Sequence, residues 1–177
     1  MPRSAIVDTS VLVSAFLFPD SVPGRVVALA DQGIYALHFS PIILEELRRS
    51  LSNPRLRNAY SYSDEQIDAW CAELHEIGSL VLRPLPDTGG VCRDPDDDHV
   101  IAAALAVKAD AIVTGDKDLL DLGAYQDIRM LSARAFLDEC TWGKLGIRVK
   151  FCHYGSSTEI GSGLGWSAGG RSSISKV

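Results

Sequence analysis

Apolar residues fall along this chain in two alternating rhythms. Short continuous runs, Ala5-Ile6-Val7, Ile34 to Phe39, Leu80-Val81-Leu82, Ala111-Ile112-Val113 and Ile128 to Leu131, read as buried strands. Between them, apolar positions recur three and four apart. A helix is expected from about Ser10 to Phe18, and a second carries Val26, Val27 and Ala30 and stops at Gly33. Ser40-Pro41 opens a third, with Ser as cap, Pro at the first helical position, and Ile43, Leu44, Leu47 and Leu51 as the buried stripe. Ser63 and Gln66 form a capping box ahead of Ile67, Trp70, Cys71 and Leu74, and Gly78 closes that helix. Val100, Ile101, Ala104 and Leu105 mark a helix that starts from the acidic run Asp94 to Asp98 and reaches about Lys108. A last helix is expected near 132–140.

Continuous apolar strands alternating with helices predict an α/β fold: a three-layer α/β/α sandwich on a mostly parallel central sheet. The folded domain is placed at residues 3–140. Beyond it the pattern stops. Gly155 to Val177 holds 6 Gly and 7 Ser in 23 residues, too few side chains to offset the entropy of ordering them. Residues 141–177 are therefore expected to form a flexible Gly/Ser-rich extension.

Composition narrows the class. With 177 residues, 46% apolar and 23% charged, a packed core is within reach and wholesale disorder is excluded. No apolar run approaches the roughly 18 residues of a membrane span, so no membrane partner is expected. Met1-Pro2-Arg3-Ser4 and the short apolar stretch broken by Asp8 make a poor signal peptide. Cys71, Cys92, Cys140 and Cys152 lack CxxC spacing and are expected as free thiols in a reducing, cytoplasmic setting. The four histidines form no HxxxH or HExxH pair, which argues against zinc.

The candidate chemistry is acidic. Asp8 and Asp116 follow the ends of apolar strands, and in a parallel sheet those ends share one edge, where sites form. Asp97 lies three and four residues before Val100 and Ile101, on the buried stripe, whereas Asp94 precedes the helix as its expected cap. Glu46 is rotated ~100° from Leu47 and flanks the buried stripe. Glu45 faces water, within reach of Arg49 one turn on. Asp8, Glu46, Asp97 and Asp116 are thus the acids best placed to converge. Converging carboxylates repel unless a cation joins them, and oxygen-only ligands favour Mg²⁺ or Mn²⁺. Such a pocket suits phosphate chemistry.

Each acid also has a plainer reading. Asp8 can cap a helix, Glu46 can be solvated, the 94–98 run can answer a helix dipole, and Asp116 can sit in a turn. Arg48, Arg49, Arg55 and Arg57 are candidates for RNA phosphate contact, the alternative being a solvated helix end. His99 reads as a polar helix residue rather than a ligand, and Trp70 as core rather than a stacking platform.

Four ordered segments carry a family resemblance. They are Ile6-Val7-Asp8-Thr9-Ser10-Val11-Leu12-Val13, Ser40-Pro41-Ile42-Ile43-Leu44-Glu45-Glu46-Leu47, Arg93-Asp94-Pro95-Asp96-Asp97-Asp98 with Ala102-Ala103-Ala104, and Val113-Thr114-Gly115-Asp116-Lys117-Asp118-Leu119-Leu120. In order and spacing they resemble the PIN-domain family over about residues 4–138, and within it the VapC-type toxins of prokaryotic toxin–antitoxin pairs. The resemblance implies a Mg²⁺- or Mn²⁺-dependent ribonuclease with the acid quartet on Asp8, Glu46, Asp97 and Asp116. It places supporting polar groups on Thr9, Ser10 and Thr114 and accessory acids on Asp94, Asp98 and Asp118. It also implies a homodimer held in check by a cognate antitoxin. Nothing after about residue 140 resembles the family.

The leading expectation is therefore metal-dependent hydrolysis of RNA phosphodiester bonds, leaving a 5′-phosphate and a 3′-hydroxyl. Two other classes stand beside it. One is a phosphatase or phospho-acceptor with Asp8 as nucleophile, although Lys117 follows an Asp where such a site needs a Lys at a strand end. The other is a non-catalytic RNA- or protein-binding module. The net charge of −6 decides little between them, because residues 1–140 carry −10 and residues 141–177 carry +4. An acid excess gathered around divalent ions is compatible with RNA as substrate.

Overall fold

A computed structural model describes residues 2–82, 84–88, 90 and 98–142. Strands β1 (Ser4–Val7), β2 (Ala36–Phe39), β3 (Gly78–Leu80), β4 (Ala111–Val113), β5 (Ala124–Tyr125) and β6 (Ile128–Leu131) form one sheet in the order β3-β2-β1-β4-β6-β5. All neighbours are parallel except β5 and β6. The fold is the expected three-layer α/β/α sandwich.

The helices explain the strand order. α1 (Thr9–Leu17) and α2 (Val22–Asp31) carry the chain from β1 to β2. α3 (Pro41–Leu51), α4 (Pro54–Tyr60) and α5 (Asp64–Ile77) carry it on to β3. The chain then returns past β1 to β4 by way of α6 (Asp98–Val107), which packs on β1, β2 and β4. Right-handed crossovers in opposite directions put α6 on the face opposite α1 to α3. α7 (Lys117–Leu122) follows β4, and α8 (Ala133–Trp142) packs on α2 and β6. The direction of winding reverses between β1 and β4, so their seam is the switch point of the sheet.

Local chemistry sets the boundaries. Ser40 Oγ accepts from Ile43 N at 3.2 Å with Pro41 next in line, as the sequence predicts. The Ser63–Gln66 capping box is complete, with Ser63 N donating to Gln66 Oε1 at 2.9 Å and Gln66 N to Ser63 Oγ at 3.4 Å. Ala5, Ile6, Val7, Ala111, Ile112 and Val113 are wholly buried, which is why both strands read as unbroken apolar runs.

Four elements differ from expectation. The third strand comes two residues early: it begins at Gly78, where a Cβ would stand 2.5 Å from Phe39 Cε1. Val81 N still bonds Phe39 O at 2.9 Å, but Leu82 is 77% exposed, so hydropathy alone misplaced the strand. The segment after Pro54 is a separate helix, α4, capped by Asn53 and without a buried residue. Asp116 opens α7 rather than sitting in a simple turn, and the two-residue β5 is too short to leave a pattern. The acidic run before Asp98 and the extension from 143 onward lie outside the described residues, while α8 reaches Trp142. No single described helix is long and apolar enough to cross a membrane.

At the amino end of the β1–β4 seam, Asp110 Oδ2 accepts from Arg3 N at 2.8 Å, Ser4 N at 2.9 Å and Ser4 Oγ at 3.3 Å. Burial pushes this carboxyl up, but the donors from Arg3 and Ser4 outweigh it and hold it below its ordinary value. Its contribution to stability is therefore complete above about pH 4, the unfolded value, and is lost as pH falls through the lower folded value. Acid titration of unfolding should show a flatter acid limb for Asp110→Asn than for wild type; superimposable limbs would contradict the clasp. Leu47 is wholly buried under α3, whereas Ile42 on the same helix is 42% exposed. Urea unfolding should show a loss of about 2–5 kcal/mol for Leu47→Ala and within about 0.5 kcal/mol of wild type for Ile42→Ala.

Candidate functional site

Among the described residues the buried polar side chains are Asp8, Ser40 and Thr114. Each is the residue directly after a strand: β1, β2 and β4 respectively. Buried polar groups are costly unless satisfied. Their gathering at one edge of an otherwise apolar sheet marks the carboxyl end of the switch point. Ser40 is accounted for as the cap of α3. Asp8 and Thr114 face one another across the seam, where Val7 pairs with Val113 and Asp8 N donates to Val113 O at 2.9 Å.

Asp8 is the backbone cap of α1, its carbonyl accepting from Val11 N and Leu12 N at 3.1 Å. Its carboxylate takes no part in that cap. Instead Oδ2 accepts from Ser10 Oγ at 2.7 Å and from Thr114 Oγ1 at 2.8 Å. Helix capping thus explains the backbone of Asp8 and leaves its side chain for another purpose. At 9% exposure the carboxylate is nearly out of solvent, and no described basic side chain lies within ion-pair range of it.

The same hydroxyls reach onward. Ser10 Oγ accepts from Gly115 N at 3.2 Å, and Thr114 Oγ1 accepts from Asp116 N at 2.9 Å. Two hydroxyl relays therefore fix the 114–116 turn against Asp8. A Cβ on Gly115 would come within 3.3 Å of Ser10 Oγ, so the lack of a side chain there keeps the relay close. Asp116 Oδ1 caps α7, accepting from Asp118 N at 2.7 Å and Leu119 N at 3.4 Å. Thr9 Oγ1 crosses to α3 and donates to Glu46 Oε2 at 3.0 Å.

One rule runs through all three acids. Asp8 ties down Oδ2, Asp116 ties down Oδ1 and Glu46 ties down Oε2. In each case the second oxygen has no described protein donor. Oxygens held in this half-committed way suit monodentate ligation of a hard cation, with the tied oxygen fixing orientation. Nearly buried Asp8, without a basic partner among the described residues, gives that cation a reason to bind. Among the described residues no three His, Cys, Asp or Glu side chains group closely enough to hold a metal ion, so Asp8, Glu46 and Asp116 do not form such a group by themselves. Mg²⁺ commonly takes one or two carboxylates and completes its shell with water and substrate phosphate. By donor type, oxygen-only carboxylates each with one uncommitted oxygen, these residues suit Mg²⁺ or Mn²⁺.

The remaining expectations divide. Asp97 and Asp94 lie outside the described residues, and Asp98 opens α6. Asp118 is exposed, its backbone engaged by Asp116. Arg49 pairs with Glu45 at 3.2 Å as predicted, Arg57 pairs with Asp64 at 2.9 Å, and Arg48 pairs with Asp68. Exposed pairs of this kind are weak and exchangeable. Trp70 packs beside Phe16 with ring centroids 6.2 Å apart, in keeping with a core role. Cys71 and Cys140 are free and buried; burial pushes both thiols up, Cys140 to about 11, so neither is a ready nucleophile. Sequence reasoning missed His99, whose Nε2 stands 3.3 Å from Glu46 Oε2. Its position beside the acidic run was a signal, but helical periodicity alone does not bring it to α3.

Comparisons with known proteins bear on the family and the fold. A PIN domain model matches residues 4–118. The uncharacterized protein MJ1680 of Methanocaldococcus jannaschii is 33% identical over 117 residues, 66% of this chain and 73% of that protein. A chain in the crystal structure of VapBC2 from Rickettsia felis, bound to a DNA fragment from their promoter, superposes with a TM-score of 0.50 at 18% identity. That match covers 73% of this chain and 98% of the other, and it speaks to the fold. The matched span contains Asp8, Glu46, Asp97 and Asp116 and both sides of the switch point; this chain belongs to the PIN domain family.

Proposed function

We propose that this protein is a Mg²⁺- or Mn²⁺-dependent endoribonuclease and the toxin of a toxin–antitoxin pair. The observation that carries the reading is the Asp8 carboxylate: nearly buried, held by two hydroxyls through one oxygen, and without a basic partner among the described residues. Family membership and the likeness in fold to a chain of a VapBC2 complex support it. A bound divalent ion would polarise a phosphoryl oxygen and make water more acidic.

The side chains would divide the work. Asp8, Glu46 and Asp116, with Asp97, would hold the ion. Ser10 and Thr114 keep Asp8 in one orientation, and Thr9 does so for Glu46. Thr114 also sets the 114–116 turn through Asp116 N. Arg48, Arg49, Arg55 and Arg57 would meet phosphates along the RNA, three of them by exchanging a surface ion pair for a phosphate. Hydrolysis would leave a 5′-phosphate and a 3′-hydroxyl. A cognate antitoxin, a homodimeric assembly and a cytoplasmic setting complete the proposal. The phospho-acceptor alternative is less well supported: Lys117 is exposed at the start of α7, and Asp8 has no described lysine or arginine beside it.

Asp8→Asn and Asp97→Asn are the test. The amide introduced in place of the Asp8 carboxylate keeps an oxygen for Ser10 and Thr114, so the fold should survive. Cleavage of RNA with Mn²⁺ should fall roughly 10²–10³-fold in each variant, the loss of several kcal/mol of transition-state stabilisation. Unchanged cleavage in both, with circular dichroism confirming the fold, would contradict the assignment.

A further inference from the structure

His99 is the basic side chain that, among the described ion pairs, reaches an acid of the site. It is the second residue of α6 and its side chain is only 15% exposed. Nε2 is shielded from solvent and lies 3.3 Å from Glu46 Oε2, the same oxygen that accepts from Thr9 Oγ1 at 3.0 Å. Three helices therefore meet on one carboxylate oxygen: α3 supplies Glu46, α1 supplies Thr9 and α6 supplies His99. Glu46 Oε1 takes no part in this junction.

We propose that His99 is a positioning residue: with Thr9 it brackets Glu46 Oε2, so that Oε1 is the oxygen presented to the divalent ion. This rests on the metal-dependent reading above and goes beyond it by assigning a residue outside the acid quartet. The physical need is specific to Glu46. Asp8 and Asp116 have short side chains anchored close to strand ends, whereas a glutamate carries three rotatable bonds and projects from a helix. A glutamate left to rotate would lose that freedom on ion binding; one already bracketed would not. At 3.3 Å Nε2 is within reach of Glu46 Oε2 but is not aligned as a hydrogen bond, and the contact is expected to align when the ion draws on Glu46. The role requires only a hydrogen on Nε2, which the imidazolium and the neutral tautomer protonated on Nε2 both supply. It also ties the start of α6, immediately after the acidic run, to the acid on α3.

Calorimetric titration of Mn²⁺ into the full chain tests this. Glutamine is the informative substitute, because its amide nitrogen projects to about where Nε2 stands. H99A should bind Mn²⁺ about tenfold or more weakly, the range for removing a group that orients a ligand. H99Q should recover most of the affinity, and H99A should cost little more once E46Q is present. H99L fills the space without a donor and replaces H99A should the smaller side chain unfold the protein. Wild-type affinity in H99A, equal weakness in H99A and H99Q, or additive losses with E46Q would each overturn the proposal. A wild-type chain that takes up no Mn²⁺ would overturn the metal reading itself, and this assignment with it.

Discussion

Satisfying a carboxylate that is nearly out of water is the constraint on which the carboxyl edge of this sheet depends. Asp8 is 9% exposed, and the donors that meet it come from Ser10 and Thr114. Leaving such a group unsatisfied would cost several kcal/mol. The requirement fixes Thr114 as a buried hydroxyl where the β4 pattern would otherwise favour another valine. It also fixes Gly115 as a residue without a side chain and the start of α1 as a turn that brings Ser10 back onto Asp8. The apolar core, the switch point and the site are one arrangement, because β1 and β4 can end in polar residues only if those residues pair with each other.

The two ends of the β1–β4 seam show the same residue type put to different uses. Asp110 commits one oxygen to three donors, two of them backbone N–H groups, and is thereby a fastener for the chain entering β1. Among the described residues the Asp8 carboxylate meets hydroxyls alone, weaker and more adaptable partners. The metal-binding role proposed for Asp8 calls for that difference: such an acid must be oriented in advance yet keep affinity for an ion. Asp116 is intermediate, serving as a helix cap with one oxygen and keeping the other available.

Much of this was legible in the sequence, for identifiable reasons. β1 and β4 are buried on both faces, so their unbroken apolar runs located them and located Asp8 and Asp116 as the acids beyond. Ser40-Pro41 and Ser63-x-x-Gln66 announced α3 and α5 through capping chemistry that is local to the chain. What failed was tertiary. β3 begins at Gly78 because Phe39 packs against it, a contact between residues far apart in the chain. α4 buries no side chain and so has no stripe to detect. Asp116 read plainly as a turn residue, and the structure makes it the cap of α7 through Oδ1, which leaves Oδ2 for the proposed ligand role. His99 was set aside because its partner sits on α3, which spacing within α6 cannot reveal.

The most direct test of this account is a crystal structure of the full chain soaked with Mn²⁺, located by its anomalous scattering. The account predicts the ion on the Asp8 oxygen that receives no hydroxyl, with the other oxygen still bonded to Ser10 and Thr114. An ion bound elsewhere, or an Asp8 that turns both oxygens to the metal and releases Ser10 and Thr114, would contradict it.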